Sequence, residues 1–497
     1  MHRAILKQAP PGLHIVVRPL RTSKVSKRAA LCVILVTVFV VASGFRATAD
    51  DAGFRIWRDN TGQSSFKAQF IAVRNGAAEL RLKNGNRVLV QLTKLSAEDQ
   101  SLVRQLATPN PKAQVDGSTP ETPQSVKRAG LLNSSDLQYL GAFRVPLGDI
   151  GASSFAYGGT ACAFNPANRS LFIVGHDHHQ AVAEIEIPRI VHSDKIADLA
   201  TAKALQPFAR VLPRIPHFTL EGNVKIGGLL VVDGQLIGTA YEYYDADGNA
   251  RESHFRLSSL DLKSADIEGL FQVGRQGGGF VGGYMTAVPG AWAERLGAPF
   301  LTGQAALSIV SRTSAGPCAL GFDPKQLGAR VANVRPFVWY PLAFPLRDET
   351  STNLVYNLTS DISGAYFDEG SGSVLFFGSH GTGEYCYGTP EECGDPVRGG
   401  KGTHSRGGRY RYQVWAYDAF DFVAVSNGRR KPWELEPYAV WPLEFPFAEK
   451  NAMIGGVAHD PNTGRIFVSQ LYGDVIGYDL NPIIHVFTIR PAKTTHP

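Results

Sequence analysis

Between Phe54 and Leu106 apolar and polar residues alternate in short runs: Lys67-Ala68-Gln69-Phe70-Ile71, Ala78-Glu79-Leu80-Arg81-Leu82 and Arg87-Val88-Leu89-Val90-Gln91-Leu92. The turn formers Asn60-Thr61-Gly62, Arg74-Asn75-Gly76 and Lys83-Asn84-Gly85-Asn86 separate them. A period of two marks half-buried strands, and Asn-Gly pairs mark tight hairpins. Ser96-Ala97-Glu98-Asp99 then caps a short helix carrying Leu102, Val103 and Leu106. The pattern predicts a small SH3-like barrel over 54–106.

From Leu131 the pattern becomes a long repeat. Short aromatic-apolar runs recur around Phe143, Phe208, Phe271, Phe337 and Tyr438, at intervals of 65, 63, 66 and 101 residues. Each is followed by small residues: Gly158-Gly159, Gly227-Gly228, Gly282-Gly283, Gly364-Ala365 and Gly455-Gly456. A turn and further apolar strands come next, as in AFNPANRSLFIVGHD and AHDPNTGRIFVSQLYG. Four short strands repeated five times cannot bury their faces singly. Radial stacking solves this, so the prediction for 131–490 is a β-propeller of five blades. The glycines suit an innermost strand, where sheets converge. The strand at Leu137–Val145 is positioned to complete the last blade after Ile476–Leu480. The longer fourth interval predicts an inserted loop at 378–412, a recognition or lid element or else a solvated decoration. The expected fold class is all-β throughout.

Residues 107–130, ATPNPKAQVDGSTPETPQSVKRAG, have no apolar periodicity and read as a disordered linker. Residues 1–49 hold eight Lys/Arg and no acid, and a basic stretch precedes an apolar core and Ala47-Thr48-Ala49. That order is a signal peptide or, if uncleaved, a membrane anchor; either places the body beyond the cytoplasmic membrane. The chain's net charge of +6 comes from this segment: the remainder has 42 basic and 44 acidic residues. No basic excess is left to serve nucleic acid as a main partner.

The barrel region resembles SLA1 homology domain 1. Trp57, Asp59, Gly62, Phe66, Ala68, Phe70, Gly85, Leu92, Leu95, Ser96, Glu98 and Asp99 carry the resemblance. It implies an SH3-like domain binding short NPFxD-type peptides, with Trp57, Phe66 and Phe70 as candidate ligand contacts or, as apolar aromatics, core. Cytoskeletal binding, ubiquitin binding and self-association belong to the eukaryotic adaptor as a whole, through regions not visible here. The remainder resembles a planctomycete-type bacterial β-propeller.

Strand ends in the propeller supply the candidate chemistry. Gly175-His176-Asp177-His178-His179, Tyr241-Glu242-Tyr243, Ser311-Arg312-Thr313, Ser379-His380 and Ser469-Gln470 align at one end. His176, Glu242, Arg312, His380 and Gln470 form the expected polar, ligand-binding ring. His176 and His178 are the weak candidates for a divalent metal, and no cofactor is otherwise expected. Asp177, Glu242 and Glu384 are the carboxylates available to a glycan hydrolase. No G-x-S-x-G, HExxH or P-loop occurs. Cys386 and Cys393 bracket a turn and are expected to pair in an oxidising space, while Cys162 and Cys318 sit in apolar contexts. The expectation is an exported, non-enzymatic adaptor or scaffold, pairing a peptide-binding module with a propeller that binds protein or glycan. The alternative is an exported propeller hydrolase acting on glycans.

Overall fold

The computed structural model describes residues 54–60, 65–74, 77–82, 87–107, 130–304, 306–396, 398–447 and 452–490. The expected signal or anchor, the linker, Cys32, Gly62, Gly85 and most of the three barrel turns lie outside the described residues. The chain divides into two compact units, within residues 1–122 and 123–497.

The first unit is a small SH3-like barrel. Strands β1 (Phe54–Arg58), β2 (Ser65–Arg74), β3 (Ala77–Leu82) and β4 (Arg87–Gln91) form one antiparallel sheet in sequence order. Helix α1 (Ala97–Ala107) follows. Period-two alternation turns Trp57, Ala68, Ala78 and Leu80 into one core, joined by Leu95 and Val103. The Trp57 indole N–H donates to the Ala68 carbonyl at 2.9 Å, which satisfies its one polar atom. Asp99, almost fully buried, clamps the helix start to β1. Its carboxylate accepts from Arg55 Nη2 at 2.7 Å, the Arg58 N–H at 2.7 Å and Ser96 Oγ at 3.0 Å.

The second unit is a five-bladed β-propeller. Strand β5 (Leu137–Arg144) is set aside for the last blade. Blade I is β6 (Cys162–Asn165), β7 (Ser170–Val174), β8 (Val182–Glu186) and β9 (Ala204–Ala209). Blade II is β10 (Val224–Val232), β11 (Gln235–Glu242), β12 (Glu252–Leu257) and β13 (Ile267–Gln272). Blade III is β14 (Met285–Ala287), β15 (Phe300–Thr302), β16 (Ala319–Phe322) and β17 (Arg335–Val338). Blade IV takes β18 (Asp361–Phe367) and β19 (Ser373–Gly381), then, after an excursion holding β20 (Tyr385–Gly388) and β21 (Gly402–Ser405), β22 (Tyr410–Asp418) and β23 (Ala439–Pro442). Blade V is β24 (Ile454–Asp460), β25 (Arg465–Ile476) and β26 (Asp479–Ile489), with β5 as its outer strand. The pairing sets Ile484 opposite Phe143 and closes the ring.

Three details differ from expectation. The aromatic runs at Phe143, Phe208, Phe271 and Phe337 are outermost strands, so the sequence repeat begins one strand before each blade. The closing strand pairs with β26, whereas 477–478 form the turn that precedes it. Strands run through Gly381 and resume at Tyr410, so the insertion is confined to 382–409.

The innermost strands β6, β10, β14, β18 and β24 neighbour one another around the axis. Glycine permits this approach. A Cβ on Gly227 would fall on the Gly282 carbonyl oxygen, one on Gly228 on the Gly283 oxygen, and one on Gly455 on the Gly159 oxygen. Aromatic layers fill the wedges between blades, as where Tyr284, Phe376, Trp415 and Tyr417 pack between blades III and IV.

Gly227→Ala is expected to destabilise the propeller by about 1–3 kcal/mol, because neither neighbour is a movable side chain. Urea unfolding measures it, with Gly290→Ala, where an added Cβ meets nothing, as the neutral control. In the barrel, Asp99→Ala strips the Arg58 N–H and Arg55 of their shared acceptor. It should cost about 1–3 kcal/mol, read as lost hydrogen-exchange protection confined to 54–107.

Candidate functional site

Antiparallel order places two kinds of connection at the same end of every blade: second strand to third, and outer strand to the next inner strand. The candidate residues cluster at that end. Register sets Glu242 beside Val224, Ser379 beside Asp361 and Gln470 beside Ile454. Blade III departs from the expected ring. Its second strand ends at Thr302, so Gly303-Gln304 occupy the equivalent place, and Arg312 belongs to the long connection 303–318.

Individual placements differ widely. The His176 ring stacks on His179 at 4.7 Å and lies 5.5 Å from Tyr157. Its Nδ1 accepts the His178 N–H at 3.1 Å, and burial, then His179 and His178, lower its pKa. Asp177 is ion-paired with Lys225 Nζ at 2.5 Å. Glu242 accepts the Glu221 N–H at 2.8 Å. Arg312 grips Glu349 with two nitrogens, at 2.9 and 3.2 Å. Glu384 is on the exposed edge of the insertion, 3.9 Å from Arg406. The three carboxylates of the hydrolase reading thus lie on three different elements. Among the described residues, no group of three or more His, Cys, Asp or Glu is placed to hold a metal ion.

Trp57, His380 and Gln470 are withdrawn from any ligand by burial. Trp57 is barrel core, while Phe66 and Phe70 are half-buried and pack on that core. The His380 Nε2 N–H donates to the Asn353 carbonyl at 3.0 Å, so its Nδ1 accepts from Ser360 Oγ at 2.9 Å. Gln470 donates to Tyr412 at 2.8 Å and accepts from His485 Nε2 at 2.8 Å; His485 Nδ1 in turn accepts from Tyr139. Asn357 of the Asn357-Leu358-Thr359 sequon is buried as well, donating to the Gly381 carbonyl.

A different set, on second strands and the connections after them, acts on one another's charge. Tyr241 of blade II has its hydroxyl pKa raised by burial first, then by Asp177 of blade I, Tyr243 and Asp361 of blade IV. Tyr243 is raised by burial, then by Asp361 and by Tyr387 of the insertion. Tyr472 of blade V is raised by burial and then Asp177, with Arg398 of the insertion opposing and Tyr157 adding. Contacts tie part of this set together directly at the propeller's mouth, the end where the candidate residues cluster: Asp177 meets Lys225, Asp361 meets Arg398, and Tyr157 lies between His176 and Tyr472. Tyr157 and Tyr472 hold left-handed backbone, φ 55° and 62°, with rings 6.1 Å apart. Bulky residues adopt that conformation only where surroundings impose it, and such positions gather at functional sites.

The insertion is braced from within. Cys386 and Cys393 are bonded, with Cα atoms 5.8 Å apart. Thr389 and Glu392 form a capping box around the turn of helix between them. Buried Asp395 receives the Tyr410 hydroxyl at 2.7 Å and His404 Nδ1 at 3.0 Å. Arg398 lies over the Tyr410 ring at 4.0 Å and donates to Asp361 at 2.5 Å. Lys225 and Asp361 are absent from the expected ring, yet one signal marks both: each stands two or three residues before an inner-strand glycine.

A family model for SLA1 homology domain 1, SHD1, matches residues 46–110. No curated protein matches the chain. Among solved structures, a hydrazine synthase of Kuenenia stuttgartiensis is 10% identical, covering 62% of this chain and 64% of its own, with TM-score 0.27. This chain therefore spans a little under two thirds of that protein. A putative oxidoreductase (glucose dehydrogenase) of Thermus thermophilus is 11% identical, covering 70% and 99%, with TM-score 0.28. Another glucose dehydrogenase is 10% identical, covering 67% and 98%, also at 0.28. Scores this low carry no argument about activity.

Burial also sets an acid limit. It holds His254 and His485 neutral down to pKa values of about 3 and His380 down to about 4. In the unfolded chain histidine takes its proton near pH 6.5. Stability contributed by keeping these rings neutral is therefore intact above that pH and lost as pH falls below it. Each ring costs about 1.4 kcal/mol per pH unit in that window. The urea midpoint should fall steeply from pH 6.5 to 4; a flat profile would contradict the assignment.

Proposed function

We propose that the chain is an exported, non-enzymatic adaptor. Its SHD1-like module captures a short peptide of a partner protein, and its propeller mouth binds glycan. In this reading residues 1–49 export or anchor the body beyond the cytoplasmic membrane, in a planctomycete-type bacterium. Residues 107–130 serve as a spacer between the two binding units. The bonded Cys386–Cys393 pair suits such an oxidising space.

One observation carries the reading. The mouth presents tyrosine rings, while its charges are engaged in pairs joining separate elements, Asp177 with Lys225 and Asp361 with Arg398. Aromatic walls with a few fixed polar groups are the make-up of a binding surface. Hydrolysis of a glycosidic bond needs two carboxylates opposed across the substrate. Asp177, Glu242 and Glu384 are held instead by Lys225, a main-chain N–H and the insertion's outer edge.

The test incubates the full-length protein with extract of its own cell envelope and assays retained proteins and released reducing sugar together. Retention without sugar release is expected. The variant Ile56→Asp should abolish retention, since Ile56 is 52% exposed on the module and outside its core. Sugar release by the unaltered chain would overturn the adaptor reading.

A further inference from the structure

The connection between β11 and β12, residues 243–251, stands as a ridge at the end where the candidate residues cluster. Both of its sides are anchored. The Tyr243 N–H donates to the Asn223 carbonyl at 3.1 Å, which ties the ridge to the segment leading into blade II. On the other side the Asp245 N–H donates to Ser311 Oγ at 2.9 Å, and the Ser308 N–H to the Tyr243 carbonyl at 3.0 Å. The Asp245 carboxylate fixes the turn itself, accepting the Asn249 N–H at 2.8 Å and the Ala250 N–H at 3.2 Å. A cleft opens on each flank. One, of about 550 Å³, is bounded by Thr219–Glu221, the ridge, Glu252 and Gln272. The other, of about 380 Å³, lies between the ridge, Gly277, Gly279 and the blade III connection at Leu307, Val310 and Ser311. Both volumes fall in the range of small-ligand sites, and a rigid wall lowers the cost of binding.

We propose that the larger cleft is the glycan site of the propeller and that its ligand is an uncharged oligosaccharide stacked on Tyr244. The inference rests on the glycan-binding reading of the mouth and specifies both place and ligand. Tyr244 lines this cleft and is 66% exposed, a flat apolar surface beside polar walls. Such a ring takes the C–H face of a pyranose. Around it the lining mixes acceptors and donors, the Glu221 and Asp247 carboxylates with the Arg251 guanidinium and the Asn249 and Gln272 amides. A ligand that only donates or only accepts uses half of these groups, whereas a sugar hydroxyl does both. Charge excludes a uronate chain, because Glu221, Glu242, Asp245, Asp247 and Glu252 face it with Arg251 as the one cation of the lining. A cation gains less than that count implies. Glu242, Asp245 and Glu252 already accept from the Glu221 N–H, the Asn249 N–H and Thr219 Oγ1, and Arg251 opposes it.

Calorimetric titration of the full-length protein tests this with three pools of hexasaccharides: uncharged chains of gluco-, manno- and galacto-configuration, galacturonates, and fully deacetylated glucosamines. The uncharged pool should bind, with the same affinity at low and high salt, and the galacturonates should not. Tyr244→Ala should weaken the uncharged pool roughly tenfold. Tyr478→Ala, at a tyrosine 94% exposed on the blade V turn, should leave it unchanged. Uncharged binding that survives Tyr244→Ala overturns the cleft while the glycan reading stands. Galacturonate binding equal to or above the uncharged pool overturns the uncharged ligand, as does salt-sensitive glucosamine binding above it; the glycan reading survives either result. Binding of none of the three overturns both. The comparison of pools on the unaltered chain decides the class of ligand without any variant.

Discussion

The propeller depends on one contact: glycine backbone against carbonyl oxygen between successive inner strands. Gly227 faces the Gly282 oxygen, Gly228 the Gly283 oxygen and Gly455 the Gly159 oxygen, with no room for a Cβ. Five blades close on themselves only if the innermost strands approach this nearly. The outer strands then diverge, and the widening wedges are filled by aromatic side chains such as Trp415 and Tyr417. Closure also needs the first strand to return to the last blade, where β5 pairs along β26 and Arg144 reaches Asp474 at 2.8 Å. The chain ends are thus tied into one sheet, and no blade terminates the array.

The same tight ring builds the mouth. Residues just ahead of the inner glycines are drawn toward the axis from every side. Lys225 and Asp361 are such residues, and each meets its counter-charge from a different element: Asp177 of the blade I connection and Arg398 of the insertion. Arg312 with Glu349 repeats the arrangement between the blade III connection and the segment leading into blade IV. Desolvated charges are tolerated where they are paired. Here the pairs fasten blade to blade and insertion to blade, which leaves tyrosines as the free surface of the rim.

The sequence disclosed the count, because four Gly-Gly pairs, one Gly-Ala pair and five aromatic runs recur in step along the chain. It did not disclose phase. A repeat read from a linear chain can begin at any strand, and Phe143, Phe208, Phe271 and Phe337 proved to be outermost rather than leading. Blade III shows a second limit. Leu307-Ser308-Ile309-Val310 is as apolar as a strand, yet Val310 is 54% exposed in a connection, and the true second strand is only Phe300–Thr302. The alignment therefore picked Arg312 in place of Gln304. His380 and Gln470 were aligned correctly at their strand ends, but the connection through Asn353–Ser360 covers one and Tyr412 with His485 the other. The covering groups stand 15 to 58 residues away along the chain, and no local pattern reports them.

The small module makes the complementary point about motifs. Trp57, Ala68, Leu95 and Asp99 carry much of its resemblance to SHD1, and all four are buried. Each has a structural duty: the indole fixes β1 to β2, and the Asp99 carboxylate fixes β1 to the helix start. A match built on such residues transmits a scaffold faithfully. Beside that scaffold stand the half-buried Phe66 and Phe70, packed on its core, and the exposed Ile56. The propeller follows the same division, with glycines securing the ring and the polar candidates carried by connections and by the insertion. In both units the residues easiest to recognise hold the structure, which is why a motif in the sequence reports the scaffold before it reports anything the scaffold displays.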